Sequence, residues 1–329
     1  MTTLFDTYVI VDWSAASTPK IGRDSIWICR RDRAGETVAN PATRAAARDS
    51  LAEMLAAAMA RDQRVVLGFD FPFGYPQGFA AALGLRGVPW RAVWDELARL
   101  IEDGPANRTN RFAVGAELNR RISGGRFPFW GCPVRFDHDC LGPRHHNGHT
   151  AGGIAEKRLI DTWMVGAQPC WKLAYTGSVG SQALTGIPVV RALRDDPRWA
   201  ERARIWPFET GLGLPDDTRI VFAEVWPSWW PVRPELGPPK DQAQVRTVAD
   251  LFAEADQAGE LAGWFAPPVA EPDRERVAAE EAWTLGVTAP RLPRSPTPAL
   301  SRKRGRGATQ PTALADSLPR LRERVGVGA

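Results

Sequence analysis

Two short apolar runs, each ending in an aspartate, dominate the hydrophobic pattern of the chain. The first is Tyr8-Val9-Ile10-Val11-Asp12 and the second is Val65-Val66-Leu67-Gly68-Phe69-Asp70. Runs of this length, rich in β-branched residues, indicate buried strands, and the residues after each aspartate favour a turn. A crossover between parallel strands would place Asp12 and Asp70 at one edge of one sheet, where open α/β sheets have their active sites.

The rest of the pattern predicts further strands and helices of an α/β protein. Residues 24–31 alternate as an antiparallel partner of the first strand would, and residues 36–39 predict a third strand. Asn40 followed by Pro41 predicts the start of a helix that continues to about Asp62. Further helices are predicted over 90–101, 112–122, a segment ending near 193, a segment around 245–255, and 273–287; further strands are predicted over 203–209 and 219–227.

We expect one domain over residues 1–290, with an insertion at about 77–170 and a separate tail. The insertion contains a loop at 124–153 that is rich in Gly, Pro and His, and loops of this length usually cover a site or move. Residues 291–329 form a basic, Pro- and Arg-rich tail, which predicts a flexible segment. Its run Ser301–Arg306 has the charge for non-specific phosphate contacts, although a disordered end accounts for it equally.

Composition indicates a globular protein with a substantial core. Of the 329 residues, 44% are hydrophobic and 24% are charged, which excludes wholesale disorder. The net charge of +4 is small and partly in the tail, so charge alone does not argue for nucleic acid. Four cysteines in a long chain without a leader or a long apolar run predict no disulfide framework and no membrane span. We expect a cytoplasmic protein.

Four carboxylates are the candidates for chemistry: Asp12, Asp70, Glu224 and Glu281. Glu224 lies inside an apolar strand, and Glu281 is four residues from both Val277 and Leu285, on the inward stripe of its predicted helix. Carboxylates converging at one edge would repel one another unless a divalent cation neutralised them, and Mg²⁺ or Mn²⁺ suits oxygen ligands. Alternatively, the strand-end acids are turn groups, and Glu281 is half of a solvated acidic pair.

The order of these motifs resembles the DUF429 group of predicted nucleases, a branch of the ribonuclease H-like superfamily. The similar segments are the Asp12 strand, Gly68–Gly74, Glu224–Ser228 with Lys240 and Arg246 downstream, and Glu281-Ala282-Trp283. The resemblance implies a mixed sheet whose first three strands are antiparallel and whose later strands run parallel to the first. It also implies an acidic site of Asp12, Asp70, Glu224 and Glu281, although the family usually has aspartate where this chain has Glu281.

The activity implied by this resemblance is metal-dependent hydrolysis of a phosphodiester. Asp12 would bridge one or two metal ions, and the other three carboxylates would complete the coordination. Lys240 and Arg246 would contact phosphates of a nucleic acid or nucleotide, and Trp226 would stack on a base or pack the lip of the sheet.

Two alternatives stay open. Thr176–Ser181 precedes a predicted helix and has the composition of a phosphate-binding turn. Because the fold implied by the resemblance is similar to that of sugar kinases and actin-type ATPases, a nucleotide-binding, phosphoryl-transfer enzyme is the first alternative. The segment lacks the lysine and the spacing of a P-loop, so an ordinary glycine-rich turn explains it as well. The second alternative is a non-catalytic accessory or small-anion-binding protein, for instance in cofactor biosynthesis.

Six possible zinc ligands fall in one loop region: Cys132, Cys140, His138, His145, His146 and His149. Their spacing matches no standard zinc finger, and the region contains no pair of cysteines two residues apart. A polar loop is therefore preferred over a structural zinc site.

Overall fold

A computed structural model of the protein describes residues 3–136, 138–145, 153–214 and 218–291. Six strands form one mixed sheet, and they are β1 (Thr7–Asp12), β2 (Trp27–Asp32), β3 (Gly35–Ala39), β4 (Val65–Phe69), β5 (Ala203–Ile205) and β6 (Ile220–Glu224). Their order across the sheet is β3-β2-β1-β4-β6-β5. The first three are antiparallel, and β4, β6 and β5 run parallel to β1, so the predicted mixed sheet is confirmed.

The helices connect and cover these strands. In the described residues they are α1 (Arg44–Met59), α2 (Phe79–Ala82), α3 (Pro89–Leu100), α4 (Arg111–Ser123), α5 (Leu159–Trp163), α6 (Val179–Arg194), α7 (Lys240–Gln257), α8 (Leu261–Trp264) and α9 (Glu271–Arg276). The predicted helices at 90–101 and 112–122 correspond to α3 and α4. None of the described helices is long and apolar enough to span a membrane.

The sheet is buried on both faces. Val9 and Val11 of β1 belong to a core with α1, α3 and α6, whereas Tyr8 and Ile10 belong to a second core with α7. Because side chains alternate between the faces of a strand, a strand covered on both sides is apolar at nearly every position. This two-sided burial explains the continuous apolar runs that end at the two aspartates.

The predicted start of the first helix was wrong by several residues. Helix α1 begins at Arg44, and the side chain of Thr43 caps it by accepting a hydrogen bond from Ala46 N. Asn40 instead fixes the turn before β2, because its Nδ2 donates to Ile26 O (2.5 Å) and its Oδ1 accepts from Gly22 N (2.7 Å). A residue with good capping chemistry is thus used in a different local structure.

The predicted helix over 273–287 was also too long. Helix α9 continues into a single π-helical turn, Val277–Glu281, and the backbone then reverses at Ala282, where φ is +62°. Thr284 forms a parallel bridge with Glu224, and Leu285 N donates to Glu224 O (2.8 Å). The segment after Glu281 therefore extends the pairing of β6 instead of continuing a helix.

The segment 77–170 contains α2 to α5, and Phe79 of α2 packs against aromatic side chains that flank the segment on either side. The rings of Tyr75 and Phe79 lie 4.5 Å apart, and Trp171 lies 5.3 Å from Tyr75. All three side chains are buried. Of the predicted tail, only Arg291 lies within the described residues.

Candidate active site

Asp12 and Asp70 lie side by side at the carboxyl ends of two adjacent parallel strands. Val11 of β1 is opposite Phe69 of β4, and Asp70 N donates to Val11 O (3.2 Å), so the strand pairing continues to the two acids. Their carboxyl groups lie close enough for each to shift the pKa of the other. Asp70 Oδ1 also accepts from Trp13 N (2.6 Å), which fixes the orientation of this carboxyl group. The structure therefore brings these two predicted site residues together.

Burial raises the pKa values of both acids, and the charge of Asp12 raises the pKa of Asp70 further. Burial raises the pKa of Asp12 to about 7; the hydrogen bond with Asp70 opposes this shift, and the charges of Asp241 and Asp24 add to it. Burial and then the charge of Asp12 raise the pKa of Asp70 well above its usual value, against the hydrogen bond from Trp13. Two carboxyl groups in contact cannot both ionise easily, so the pair retains a proton near neutral pH.

Asp12 opens into a cavity of about 600 Å³ whose lining carries both signs of charge. The acids of the lining are Asp12, Asp24 and Asp241, and the cations are Lys20, Arg111 and Arg135. The cavity is formed by the loop after β1, the start of α4 and the start of α6. Its size and charged lining are suitable for a polar small molecule or for one nucleotide unit.

Arg44 fixes the loop that follows Asp12. Its side chain is buried and donates to Ser14 O (3.1 Å) and Ala16 O (2.8 Å), while Nη2 pairs with Asp103 (2.6 Å). The loop that lines the cavity next to Asp12 is therefore fixed by the buried Arg44 and its ion pair with Asp103.

Asp70 also faces a second, mostly apolar cavity of about 200 Å³. Its lining includes Phe71, Val225 and the half-buried Trp226. Because Asp12 lines the larger cavity and Asp70 the smaller one, the acid pair lies where the two spaces approach each other.

Glu224 ends β6 next to this site but is engaged in an ion pair. Arg158 donates to both of its oxygens, with Nη1 at 2.7 Å from Oε2 and Nη2 at 2.8 Å from Oε1. Phe73 N (2.9 Å) and Thr284 Oγ1 (2.8 Å) donate to the same carboxylate. Since four donors occupy its oxygens, Glu224 acts in the structure as the anchor of a buried cation.

Sequence reasoning missed Arg158, the centre of that network. Its guanidinium is buried and also binds Asp161 at 2.8 Å and the main-chain oxygen of Glu281 at 3.1 Å. Burial alone would lower the pKa of Arg158, but the charges of Asp161 and Glu224 raise it well above its usual value. The Arg-x-x-Asp spacing at 158–161 was the available signal, because residues three apart meet on one side of a helical turn.

Glu281 and Glu280 hold backbone amides instead of facing the acid pair. Glu281 accepts from Gln77 N (3.1 Å) and Leu159 N (2.7 Å), and Glu280 accepts from Gly78 N (2.8 Å) and from Ala80 N (2.7 Å). Both side chains are buried, so the alternative of a solvated acidic pair was wrong. Burial raises the pKa of Glu280.

The expected cluster of four carboxylates is thus reduced to a pair. Among the described residues, no group of three or more Asp, Glu, His or Cys side chains is placed to hold a metal ion. The physical reason is that Arg158 and the backbone amides already neutralise or satisfy Glu224 and Glu281.

The three predicted substrate contacts are spread over different surfaces. Lys240 is exposed at the start of α7, and its charge acts on Asp12. Arg246 points to the other end of the sheet, where Nε pairs with Glu36 at 2.7 Å. Trp226 lines the smaller cavity and packs near Trp229, with 6.2 Å between ring centroids.

The predicted turn Thr176–Ser181 lies on the cavity, but its first amides are used internally. Gly177 has a φ of +76°, and Ser178 precedes α6 without capping it through its side chain. Val179 N donates to Gly177 O (3.0 Å) and Gly180 N donates to Lys172 O (3.0 Å). These two amides are therefore not available to a ligand phosphate.

The cysteines and histidines of the loop region are dispersed in the described residues. Cys132 Sγ contacts Leu141 O, and Cys140 Sγ contacts Gly124 O. His145 lies against Trp130 and 3.7 Å from Glu156. His146 and His149 lie outside the described residues.

Fold and site together define an α/β protein with a pair of coupled aspartates at the carboxyl edge of its parallel strands. Comparisons of the chain with protein-family models, with curated proteins and with solved structures find no match.

Proposed function

We propose that this chain is a metal-dependent phosphodiester hydrolase of the ribonuclease H-like type, with Asp12 and Asp70 as its metal-binding pair. The observation that carries the proposal is the contact between these two carboxyl groups at the ends of β1 and β4, facing a charged cavity. Buried acids with raised pKa values cluster at functional sites because catalytic groups need pKa values matched to their task.

The pair fits one divalent cation. Mg²⁺ usually binds proteins through one or two carboxylates and takes its other ligands from water and substrate phosphates. Asp12 and the oxygen of Asp70 that Trp13 leaves free are such a donor set. A bound ion would polarise the phosphate and favour deprotonation of a water molecule.

The residues of the chain contribute binding, orientation and proton control. Trp13 N holds Asp70 in one orientation, and Arg44 holds the loop beyond Asp12, so the pair is preorganised. Loss of the shared proton makes both carboxylates available to a cation. Lys240 contributes positive charge near Asp12, which favours an anionic substrate.

The test compares wild type with Asp12→Asn and Asp70→Asn on single- and double-stranded DNA and RNA, with Mg²⁺ or Mn²⁺. Asp49→Asn, an exposed position on α1, is the matched control. We expect metal-dependent cleavage by wild type and the control, and a loss of at least about 100-fold in each site variant. Metal should also raise the melting temperature of wild type but not of Asp12→Asn.

No cleavage of any of these substrates by wild type, together with no thermal shift by either metal, would sink the nuclease proposal. ATP turnover that requires Asp12 would instead favour the phosphoryl-transfer alternative.

A non-catalytic, small-anion-binding role is the second candidate. It is favoured by the engagement of Glu224 and Glu281 in structural bonds, which leaves two carboxylates where the resemblance implies four. Tight binding of an anion without turnover of any phosphoester would support it.

A further inference from the structure

Arg111 is a buried cation without a carboxylate partner. Its residue is 8% exposed, and its guanidinium forms no ion pair with any acid in the described residues. Nε donates to Ser181 Oγ (3.0 Å), and Nη1 donates to Ser17 Oγ (3.2 Å). The guanidinium also lies 4.5 Å from the ring centroid of Phe112. Neutral hydroxyls and an aromatic ring satisfy its geometry but not its charge.

This arrangement costs stability. Burial, together with the charge of nearby Arg44, lowers the pKa of Arg111 to about 10, and the charge of Asp103 only partly offsets this. Asp103 is already paired with Arg44, so it cannot also neutralise Arg111 by direct contact. Buried charges are normally paired, and an exception at a cavity indicates that the counter-charge comes from a ligand.

The surrounding hydrogen bonds define which groups remain for a ligand. Ser181 Oγ donates to Leu173 O, so its proton is used. Ser17 Oγ accepts from Arg111 and is exposed at the cavity, so its own proton can be donated to a bound anion. Because the first amides of α6 are satisfied internally, the donors next to the Arg111 guanidinium include the Ser17 hydroxyl, and Arg135 adds positive charge to the same lining.

We propose that Arg111 and Ser17 form the binding subsite for a phosphate group, separate from the Asp12–Asp70 pair but in the same cavity. Both line the 600 Å³ space, and the loop that carries Ser17 is the loop that follows Asp12. The inference rests on the proposed function in that this phosphate belongs to the polynucleotide substrate or to its product. The group bound is then a phosphomonoester, carried either by the phosphorylated end of a polynucleotide substrate or by a mononucleotide released from it.

Aromatic side chains beside the subsite fit a substrate with a planar ring. Phe136 is 38% exposed and stacks on Phe112 at 5.1 Å, and Tyr175 is 55% exposed. Both belong to the cavity lining, as does Arg135, whose guanidinium lies 5.0 Å from the centroid of Phe136. Exposed aromatic rings in the same lining as Arg111 and Arg135 are suitable for stacking a base while the phosphate is bound.

Calorimetric titration with inorganic phosphate tests the subsite directly. The titration is done in EDTA and at constant ionic strength, so that neither metal at Asp12 nor bulk screening contributes. We expect wild type to bind, Arg111→Met to bind at least about tenfold more weakly, and Arg48→Met, an exposed arginine on α1, to bind as wild type does. Arg111→Lys should be intermediate because it keeps the charge but not the fork.

Thermal unfolding supplies an independent readout. Since Arg111→Met removes an unpaired buried charge, we expect its melting temperature without phosphate to equal or exceed that of wild type, and phosphate to raise only the wild-type value. If Arg111→Met does not fold, Ser17→Ala replaces it, with an expected loss of at least about threefold in phosphate affinity.

Oligonucleotides with 5′-phosphate, 3′-phosphate or no terminal phosphate, and a nucleoside monophosphate, then separate the two sources of the group. Tighter binding of any phosphorylated form than of the unphosphorylated one supports the subsite. Equal phosphate binding by wild type and Arg111→Met, or no binding by wild type, would overturn it. Phosphate binding by a wild-type protein that hydrolyses none of the phosphodiester substrates would leave the subsite standing while the proposed activity fails.

Discussion

At the scale of single residues, the buried carboxylates of the site differ in the groups that compensate their charge. Glu224 has a bidentate arginine and two further donors, whereas Asp12 and Asp70 have mainly each other. The first arrangement fixes the fold, and the second leaves a group that responds to protons and cations. Sequence reasoning found all these acids, but it could not separate them because their partners lie about 60 or more residues away or belong to the backbone.

The acid pair should make stability fall as pH rises. The folded-state pKa of Asp12, about 7, lies above its usual value, so the folded chain binds more protons than the unfolded chain between about pH 4 and 7. The stabilisation is therefore complete below about pH 4 and is lost as pH rises through 7. In EDTA, Asp70→Asn should be more stable than wild type at pH 8, by on the order of 2 kcal/mol, with the difference disappearing near pH 4.

Urea unfolding at both pH values measures this difference, and Asp49→Asn serves as the exposed control. A stability difference between Asp70→Asn and wild type that did not change with pH would contradict the shared-proton interpretation.

Removal of Arg158 should destabilise the fold strongly. Arg158→Met leaves Asp161 and Glu224 buried without their cation, which should cost about 3–5 kcal/mol of unfolding free energy. Arg99→Met, which breaks an exposed pair with Glu96, should cost far less than Arg158→Met. Chemical denaturation measures both, and similar losses in the two variants would show that the buried network contributes no more than a surface pair.

At the scale of elements, the backbone of residues 71–76, which follow β4, lies in direct contact with the backbone of the π-helical turn. Tyr75 N donates to Glu280 O (3.1 Å), and a Cβ added to Gly74 would lie 2.3 Å from Glu280 O and 2.5 Å from Glu281 O. The strands and the long helices could be predicted from periodicity, because burial on two faces is recorded locally. This contact could not, since neither segment contains a sign of the other.

Gly74→Ala should therefore push the segment 71–76 away from the π-helical turn. The clash is with backbone atoms, which cannot rotate away, so we expect a loss of about 3 kcal/mol in stability. Gly263→Ala is the matched control, because a Cβ there meets nothing within 4 Å and its helix α8 is exposed at that point. Equal melting temperatures of the two variants would contradict the close approach.

At the scale of the whole molecule, the segment 77–170 is joined to the sheet by charge as well as by packing. Arg158, near the end of that segment, binds Glu224 of β6, and Gln77, at its beginning, donates to Glu281. The composition of this segment predicted a loop that covers the site. Nothing in that composition indicated that a single buried arginine, Arg158, anchors the segment to the sheet. Composition is averaged over a segment, whereas this anchoring depends on single contacts.

Amide hydrogen exchange should show that these anchor points unfold together with the sheet. Leu159 N and Gln77 N, which donate to the buried Glu281, should exchange as slowly as amides of β1 and β4. Ala34 N donates to Asp32 in an exposed turn and should exchange many-fold faster. Rapid exchange at Leu159 would mean that the end of the segment opens independently of the core.

The backbone bonds of Glu280 and Glu281 have a consequence for divergence among homologous chains. A carboxylate that binds main-chain amides constrains where a segment runs, but places no demand on the side chains it carries. Positions 77 and 159 can therefore change over evolution, provided that neither becomes proline, which has no amide hydrogen to donate. Position 78 is restricted for a different reason, because its φ of +94° favours glycine. In an alignment, Glu280 and Glu281 would look invariant although the residues that they bind vary. A conserved acid of this kind is easily mistaken for a catalytic one.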